Sequence, residues 1–188
     1  MRRIFRAACA MMVAGVLAAC GDSTGSGGLA ADEGLVTFSY SGTVGGRFSA
    51  RGGARPASSS TVEYAEARRQ PGYLEVWAGD PLPNGHLDGL RLTAYFDPAP
   101  GTYPMCSGIT PAVGPCVEVL VFINLDPGGS GVKPGEYVFA VASSGSVTIE
   151  ELSGGRVRGT FSGNVMGSSV FGAIEVTSGR FDVPIRDI

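Results

Sequence analysis

From Leu35 onward the chain alternates apolar and polar residues with a period of two. Val36, Phe38 and Tyr40 alternate with Thr37, Ser39 and Ser41, and Val44 and Phe48 lie on one face of the next segment, with Gly46 between them. Asp88, Leu90, Leu92, Ala94 and Phe96 share one face of a later run. Successive side chains of a strand point to opposite sides, so this alternation predicts half-buried strands. Val117 to Ile123 (VEVLVFI) is apolar at nearly every position, which predicts a strand covered on both sides. Further strands are expected at Tyr73 to Ala78, Tyr137 to Ala142, Val147 to Leu152, Arg156 to Val165, Phe171 to Val176 and Arg180 to Ile185. Tyr64 to Arg69 (YAEARR) holds helix-forming residues. It is short and follows Thr61-Val62, so it too is assigned to a strand. The 30 Gly and 12 Pro interrupt every window long enough for a stable helix.

Turn chemistry joins these strands. Asn84-Gly85 separates Tyr73–Ala78 from Leu87–Phe96, and Ser153-Gly154-Gly155 separates Val147–Leu152 from Arg156–Val165. Both read as hairpins, because such residues accept the positive φ of a tight turn. Short turns imply antiparallel neighbours, since parallel pairs need long crossovers. About ten strands at this spacing predict an all-β domain with little or no helix: an antiparallel β-sandwich or flattened β-barrel, with a lipocalin-like cup as the alternative.

Ahead of the strands the pattern changes. Arg2, Arg3 and Arg6 form a basic head, Ala7 to Ala19 is an apolar run, and Leu17-Ala18-Ala19-Cys20 ends it. A basic head, a short apolar core and small residues before a cut site describe a secretory leader. The run falls short of the roughly 20 residues of a membrane span. The Leu-Ala-Ala-Cys ending resembles the lipobox of bacterial lipoproteins. That resemblance implies cleavage before Cys20 and acylation of Cys20, which then holds the protein to the lipid bilayer. Gly21, rather than Asp, follows the cysteine, and by resemblance to enterobacterial sorting this favours the outer over the inner membrane. Residues 1–19 are thus the expected leader, 20–34 the lipidated cysteine with a Gly-rich tether (GDSTGSGGLAADEG), and 35–188 a single domain. Fourteen flexible residues span about 20 Å root-mean-square, enough to hold the domain clear of the headgroups.

The segments Ser146-Val147-Thr148-Ile149 with Val157-x-Gly159-Thr160-Phe161-Ser162, Val176 to Pro184 (VTSGRFDVP), and Phe38-Ser39-Tyr40-Ser41-Gly42 with Phe48-Ser49-Ala50 together resemble small uncharacterised all-β lipoprotein domains of environmental bacteria. The resemblance covers the mature domain. It implies fold and location and supplies no catalytic residue.

Charge and cysteines narrow the picture. The leader carries three of the 14 basic residues and none of the 17 acidic ones, so its removal takes the formal charge from −3 to −6. A negative domain with no basic cluster argues against nucleic acid as a partner. Cys9 leaves with the leader and Cys20 is the lipidation site, which leaves Cys106 and Cys116. Gly108, Pro111, Gly114 and Pro115 lie between them, so the segment is a loop. In an oxidising compartment the pair is expected to form a disulfide. Zinc would want four ligands, and His86 is the only further residue of that kind; a redox pair would read Cys-x-x-Cys.

Candidate chemistry is sparse. Gly21-Asp22-Ser23-Thr24-Gly25 fits Gly-x-Ser-x-Gly but sits in the tether, where no strained strand-to-helix turn can present the serine. His86 with Asp88 could supply two parts of a triad without a nucleophile elbow. Asp80, Asn84, Gly85 and Asp88 partly match a calcium loop. Leu82 and Arg91 occupy positions that need oxygen ligands, and turn chemistry explains the rest. Glu63, Glu66, Glu75, Glu118, Glu150, Glu151 and Glu175 read as the wet faces of strands, although two of them across a cleft would suit a glycosidase. Arg47, Arg51, Arg55, Arg68 and Arg69 read as solvated loop and edge residues.

Tyr73, Trp77 and Tyr95 are the candidate ligand contacts. The first two share a strand face, and Tyr95 belongs to the partner strand. Rings with polar tips suit a sugar or small amphiphile; cross-strand packing is the structural alternative. No catalytic residue, metal site or cofactor is assigned. The expectation is an envelope lipoprotein with a non-enzymatic binding or structural domain. Its partners would be the bilayer and a small amphiphile, sugar or envelope protein. A lipocalin-like carrier of a lipid or amphiphile is the first rival and an envelope hydrolase the second. A large apolar cavity would mark the carrier, and a filled core the leading reading.

Overall fold

The computed structural model describes residues 29–55, 61–107, 115–129, 135–167 and 172–187. Cys20, the expected leader and the Gly21–Gly25 motif lie outside the described residues. Ten strands follow one another: β1 (Gly34–Gly42), β2 (Gly46–Gly52), β3 (Tyr64–Gln70), β4 (Tyr73–Pro81), β5 (Leu87–Ala94), β6 (Gly101–Pro104), β7 (Val117–Leu125), β8 (Tyr137–Ser153), β9 (Arg156–Gly167) and β10 (Ala173–Asp187). No helix occurs among the described residues.

Two long strands organise the fold by changing partners along their length. β8 pairs with β7 at Tyr137–Phe139 and then, on the same edge, with β6 at Ser146–Ile149. β10 pairs with β1 over Ile174–Asp182 and then with β3 over Ile185–Asp187. β9 lies between them and pairs with both. One layer therefore contains β3, β4, β5 and β7, the other β2, β1, β10, β9, β8 and β6. The ends of β8 and β10 join the layers, so that seven strands form a ring. The result is a flattened barrel, or a sandwich closed at two corners.

The strand boundaries differ from the sequence reading in an instructive way. Tyr137–Ala142 and Val147–Leu152 are halves of one strand, β8, and the last two predicted strands are halves of β10. The joints are bulges. Register shifts between Ala142 and Ser144 and between Val176 and Gly179, where Ser178 has a φ of 54°. Bulges bend a strand and increase its twist without ending it, which is what a corner requires. The β10–β3 contact is parallel. No short turn links these two strands, so nothing forces them to run antiparallel. Both predicted hairpins are present, β4–β5 and β8–β9. Gly154 and Gly155 have φ values of 58° and 75°, and Gly85 one of 82°.

The inner faces meet in a single apolar core. Val36, Phe38 and Phe48 from the β1–β2 hairpin pack toward Phe161, with ring centroids of Phe38 4.9 Å from Phe48 and 5.8 Å from Phe161. Leu74, Val76, Leu90, Leu92, Val119 and Val121 face them from the other layer. A void of about 20 Å³ remains among Leu74, Val76, Leu92, Ala94, Val117, Val147, Ile149 and Phe181. That is room for about one water, with no polar lining to hold it.

Two further ties close the structure. Cys106 and Cys116 form the expected disulfide, with Cα atoms 5.1 Å apart. The bridge links the end of β6 in one layer to the start of β7 in the other. Arg156 fixes the chain ahead of β1. Its guanidinium pairs with Asp182 at 2.8 Å and donates to the carbonyls of Ala31 (3.2 Å) and Glu33 (3.0 Å).

Candidate functional site

Strand register places a grid of side chains on the outer face of β3, β4, β5 and β7. Ala65, Ala67, Leu74, Val76, Ala78, Leu90 and Leu92 point inward, so the intervening residues must point out. One row across the strands reads Arg68, Glu75, Thr93, Glu118; the next reads Glu66, Trp77, Arg91, Leu120. Tyr64 lies alongside Gly79 in the row beyond. Gly79 is required there, because a Cβ would stand 2.4 Å from the Tyr64 ring.

The aromatic candidates occupy two ends of this face. Tyr73 and Tyr95 meet with centroids 5.9 Å apart. Trp77 pairs instead with Phe122 of β7, centroids 5.8 Å apart and rings within 5° of parallel. Phe122 is a site residue that sequence reasoning did not select. Its place on the face of β7 that carries Glu118 and Leu120, alternating with the inward Val119 and Val121, was the available signal. Between the two aromatic pairs runs a polar strip. Arg91 donates to Glu118 at 3.3 Å and stands 3.9 Å from Glu75. The Tyr95 hydroxyl donates to Glu118 at 3.2 Å. Burial pushes the Tyr73 phenol up to about 12, helped by its hydrogen bond to Glu75. Burial also raises Tyr95, with the Glu118 charge adding to it. At the centre, Thr93 is 1% exposed and its Oγ1 has no hydrogen-bond partner; neither has Arg91 Nε.

Several charged residues are less solvated than their sequence pattern suggested. Glu66 is 1% exposed, held by Arg68 at 2.9 Å and Arg186 at 3.1 Å. Glu118 is buried as well. Arg55 is not a free loop residue, for its guanidinium carbon lies 4.0 Å from the Trp77 ring centroid. Burial of these groups follows from pairing, since a carboxylate tolerates a dry site only beside a matched cation. Arg47, Glu150, Glu151 and Glu175 are exposed as expected. Arg51 is held by Glu33 at 2.7 Å on the surface.

The arrangement speaks to the catalytic alternatives. Glu75 and Glu118, two of the glutamates weighed for a glycosidase, are both ion-paired to the Arg91 guanidinium, at 3.9 and 3.3 Å. His86 does not engage Asp88. Its Nδ1 lies 2.8 Å from the Asn124 carbonyl, while Asp88 accepts the Asn124 N–H at 2.7 Å. Asn84 serves the turn: its side chain accepts the His86 N–H at 3.1 Å and donates to Asn124 at 3.0 Å. Asp80 and Asp88 face each other across the β4–β5 ladder. Burial raises both carboxyls, and at Asp80 the charges of Glu63 and Asp88 add to the effect.

Surface hollows of about 380 and 310 Å³ lie on the opposite layer and meet at Thr160 and Arg180. They are open and share no residue with the aromatic face. Set against protein-family models, curated proteins and solved structures, the chain matches none of them.

Proposed function

We propose that this chain is an envelope lipoprotein, tethered through acylated Cys20, whose β-domain binds a hydroxyl-bearing envelope component such as a glycan without transforming it. The contact surface is the outer face of β3, β4, β5 and β7. One observation carries the reading: two aromatic pairs, Tyr73–Tyr95 and Trp77–Phe122, flank a charged strip of Glu75, Arg91 and Glu118 on the outer face of a sheet, with Tyr95 52% exposed. Aromatic rings stack on the apolar faces of sugars, and the polar strip between them offers donors and acceptors to their hydroxyls. Among the described residues, a core void of about 20 Å³ supports a role played at the surface over that of a lipid carrier, whose pocket would need several hundred Å³.

The test is to incubate the detergent-solubilised full-length protein with immobilised envelope glycans, then measure both retention and glycan chain length. Retention without shortening is the expected result. Shortening that disappears in the His86→Ala protein would replace this reading with a hydrolase.

A further inference from the structure

We propose that His86, Asp126 and Glu136 form a binding site for a divalent transition metal of the zinc class. The three residues come from separate segments, the β4–β5 turn, the exit of β7 and the approach to β8. The fold brings one ring nitrogen and two carboxylate oxygens within 4.8 Å of one another. Nothing in their spacing along the chain announces this; the registers of β5 with β7 and of β7 with β8 create it.

The imidazole is oriented by a neighbour that cannot compete for metal through the same atom. His86 Nδ1 stands 2.8 Å from the Asn124 carbonyl, which can only accept a hydrogen bond. Nδ1 therefore donates its proton there, and in the neutral imidazole the lone pair that a metal needs lies on Nε2. A backbone carbonyl on the remote nitrogen is the usual device for fixing the tautomer and angle of a ligating histidine.

Asn124 is in turn tightly built in. It adopts a left-handed conformation at a φ of 53°. Its N–H donates to Asp88 at 2.7 Å, and its side chain accepts from Asn84 at 3.0 Å and donates to the Gly135 carbonyl at 3.0 Å. Gly135 directly precedes Glu136, so one residue orients the histidine and anchors the segment that carries the glutamate.

Exposure grades across the three ligands. Glu136 is 2% exposed, whereas His86 and Asp126 are half-buried. A carboxylate in a low-dielectric site attracts a cation more strongly than one in water. An imidazole with two carboxylates suits zinc and its neighbours better than calcium or magnesium, which take oxygen alone. Metal–ligand bonds of about 2.0–2.2 Å would draw the donors closer than 4.8 Å, and a fourth position would remain for water or another donor.

The experiment uses full-length protein stripped with a chelator and titrated calorimetrically with zinc chloride and, separately, calcium chloride. The expected result is one saturable zinc site per chain and no matching calcium site. His86→Gln and Asp126→Asn should each weaken zinc binding at least tenfold while leaving the circular dichroism spectrum unchanged. Glu136→Gln is a third arm, read only where its spectrum matches the wild type. Zinc binding that survives both His86→Gln and Asp126→Asn, equal binding of calcium, or no saturable binding by the folded protein would each overturn the proposal. The outcome is independent of glycan retention, which depends on the aromatic face.

Discussion

Arg55 stands over Trp77, with its guanidinium carbon 4.0 Å from the ring centroid. The contact joins the β2–β3 connection to the middle of β4. Cation–π attraction of this kind is worth about 0.5–1 kcal/mol at an exposed site. Arg91 approaches the same ring at 5.6 Å, and Phe122 lies beside it. Trp77 is therefore the hub of the outer face without being part of the core.

Trp77→Ala should follow from that position. The substitution removes the partner of Phe122, Arg55 and Arg91 but opens no cavity in the apolar interior. Stability in urea should fall by about 2 kcal/mol, with the fold retained. A loss nearer the ~4 kcal/mol typical of a core tryptophan would place the ring in the core instead.

The β8–β9 turn should be intolerant of β-branched residues. Gly154 and Gly155 both have positive φ, which the mirror-image turns of tight hairpins demand. Replacing both with Val should destabilise the domain by at least about 1 kcal/mol, as measured by equilibrium unfolding. β8 and β9 pair from this turn through Phe139 and Gly167, so the effect should reach the whole domain.

These outcomes bear on how much the chain disclosed in advance. The all-β class, the β4–β5 and β8–β9 hairpins and the Cys106–Cys116 bridge were legible, because alternation, turn residues and cysteine spacing are local patterns. The continuity of β8 and β10 was not. Ser143-Ser144-Gly145 and Thr177-Ser178-Gly179 look like strand ends, yet they act as bulges within strands. β6 was also hidden: Gly-Thr-Tyr-Pro is too short to show a period, and its Pro104 suits the edge strand it forms. At the candidate site, Tyr73, Trp77 and Tyr95 could be picked from residue type. The burial of Glu66 could not, since one of its two cationic partners, Arg186, lies on the last strand. The grouping of His86 with Asp126 and Glu136 likewise depends on strand register.

The disulfide should hold the two layers together at the β6–β7 corner. Reduction, or Cys106→Ser with Cys116→Ser, should lower stability by about 2.5–3 kcal/mol on the chain-entropy account. Peptide mapping without reductant of protein recovered from the cell should show the bridge intact.

Tyr73 supplies a pH signature. Its phenol is raised from the ordinary 10.0 to about 12, so between those values the folded chain holds a proton that the unfolded chain has released. Native stability attributable to Tyr73 is full below pH 10 and is lost as pH rises toward 12. In a spectrophotometric titration of phenolate absorbance, Tyr73→Phe should delete a late-titrating component. An unchanged late component would assign it to another tyrosine.

The anchor has its own check. Intact-mass spectrometry of membrane-extracted protein should find a chain that begins at an acylated Cys20, as the Leu17-Ala18-Ala19-Cys20 ending implies. A chain starting elsewhere, or an unmodified Cys20, would remove the lipoprotein assignment.

Trp77 is the single tryptophan of the chain, so its fluorescence reports the proposed binding face alone. Full-length protein is titrated with soluble envelope oligosaccharides while that emission is followed. A glycan-binding face should give a saturable change in Trp77 emission that weakens in Tyr95→Ala, a substitution at a side chain already 52% exposed and therefore mild for the fold. Emission that stays flat while the same glycans are retained by the protein would contradict it and move the binding surface elsewhere.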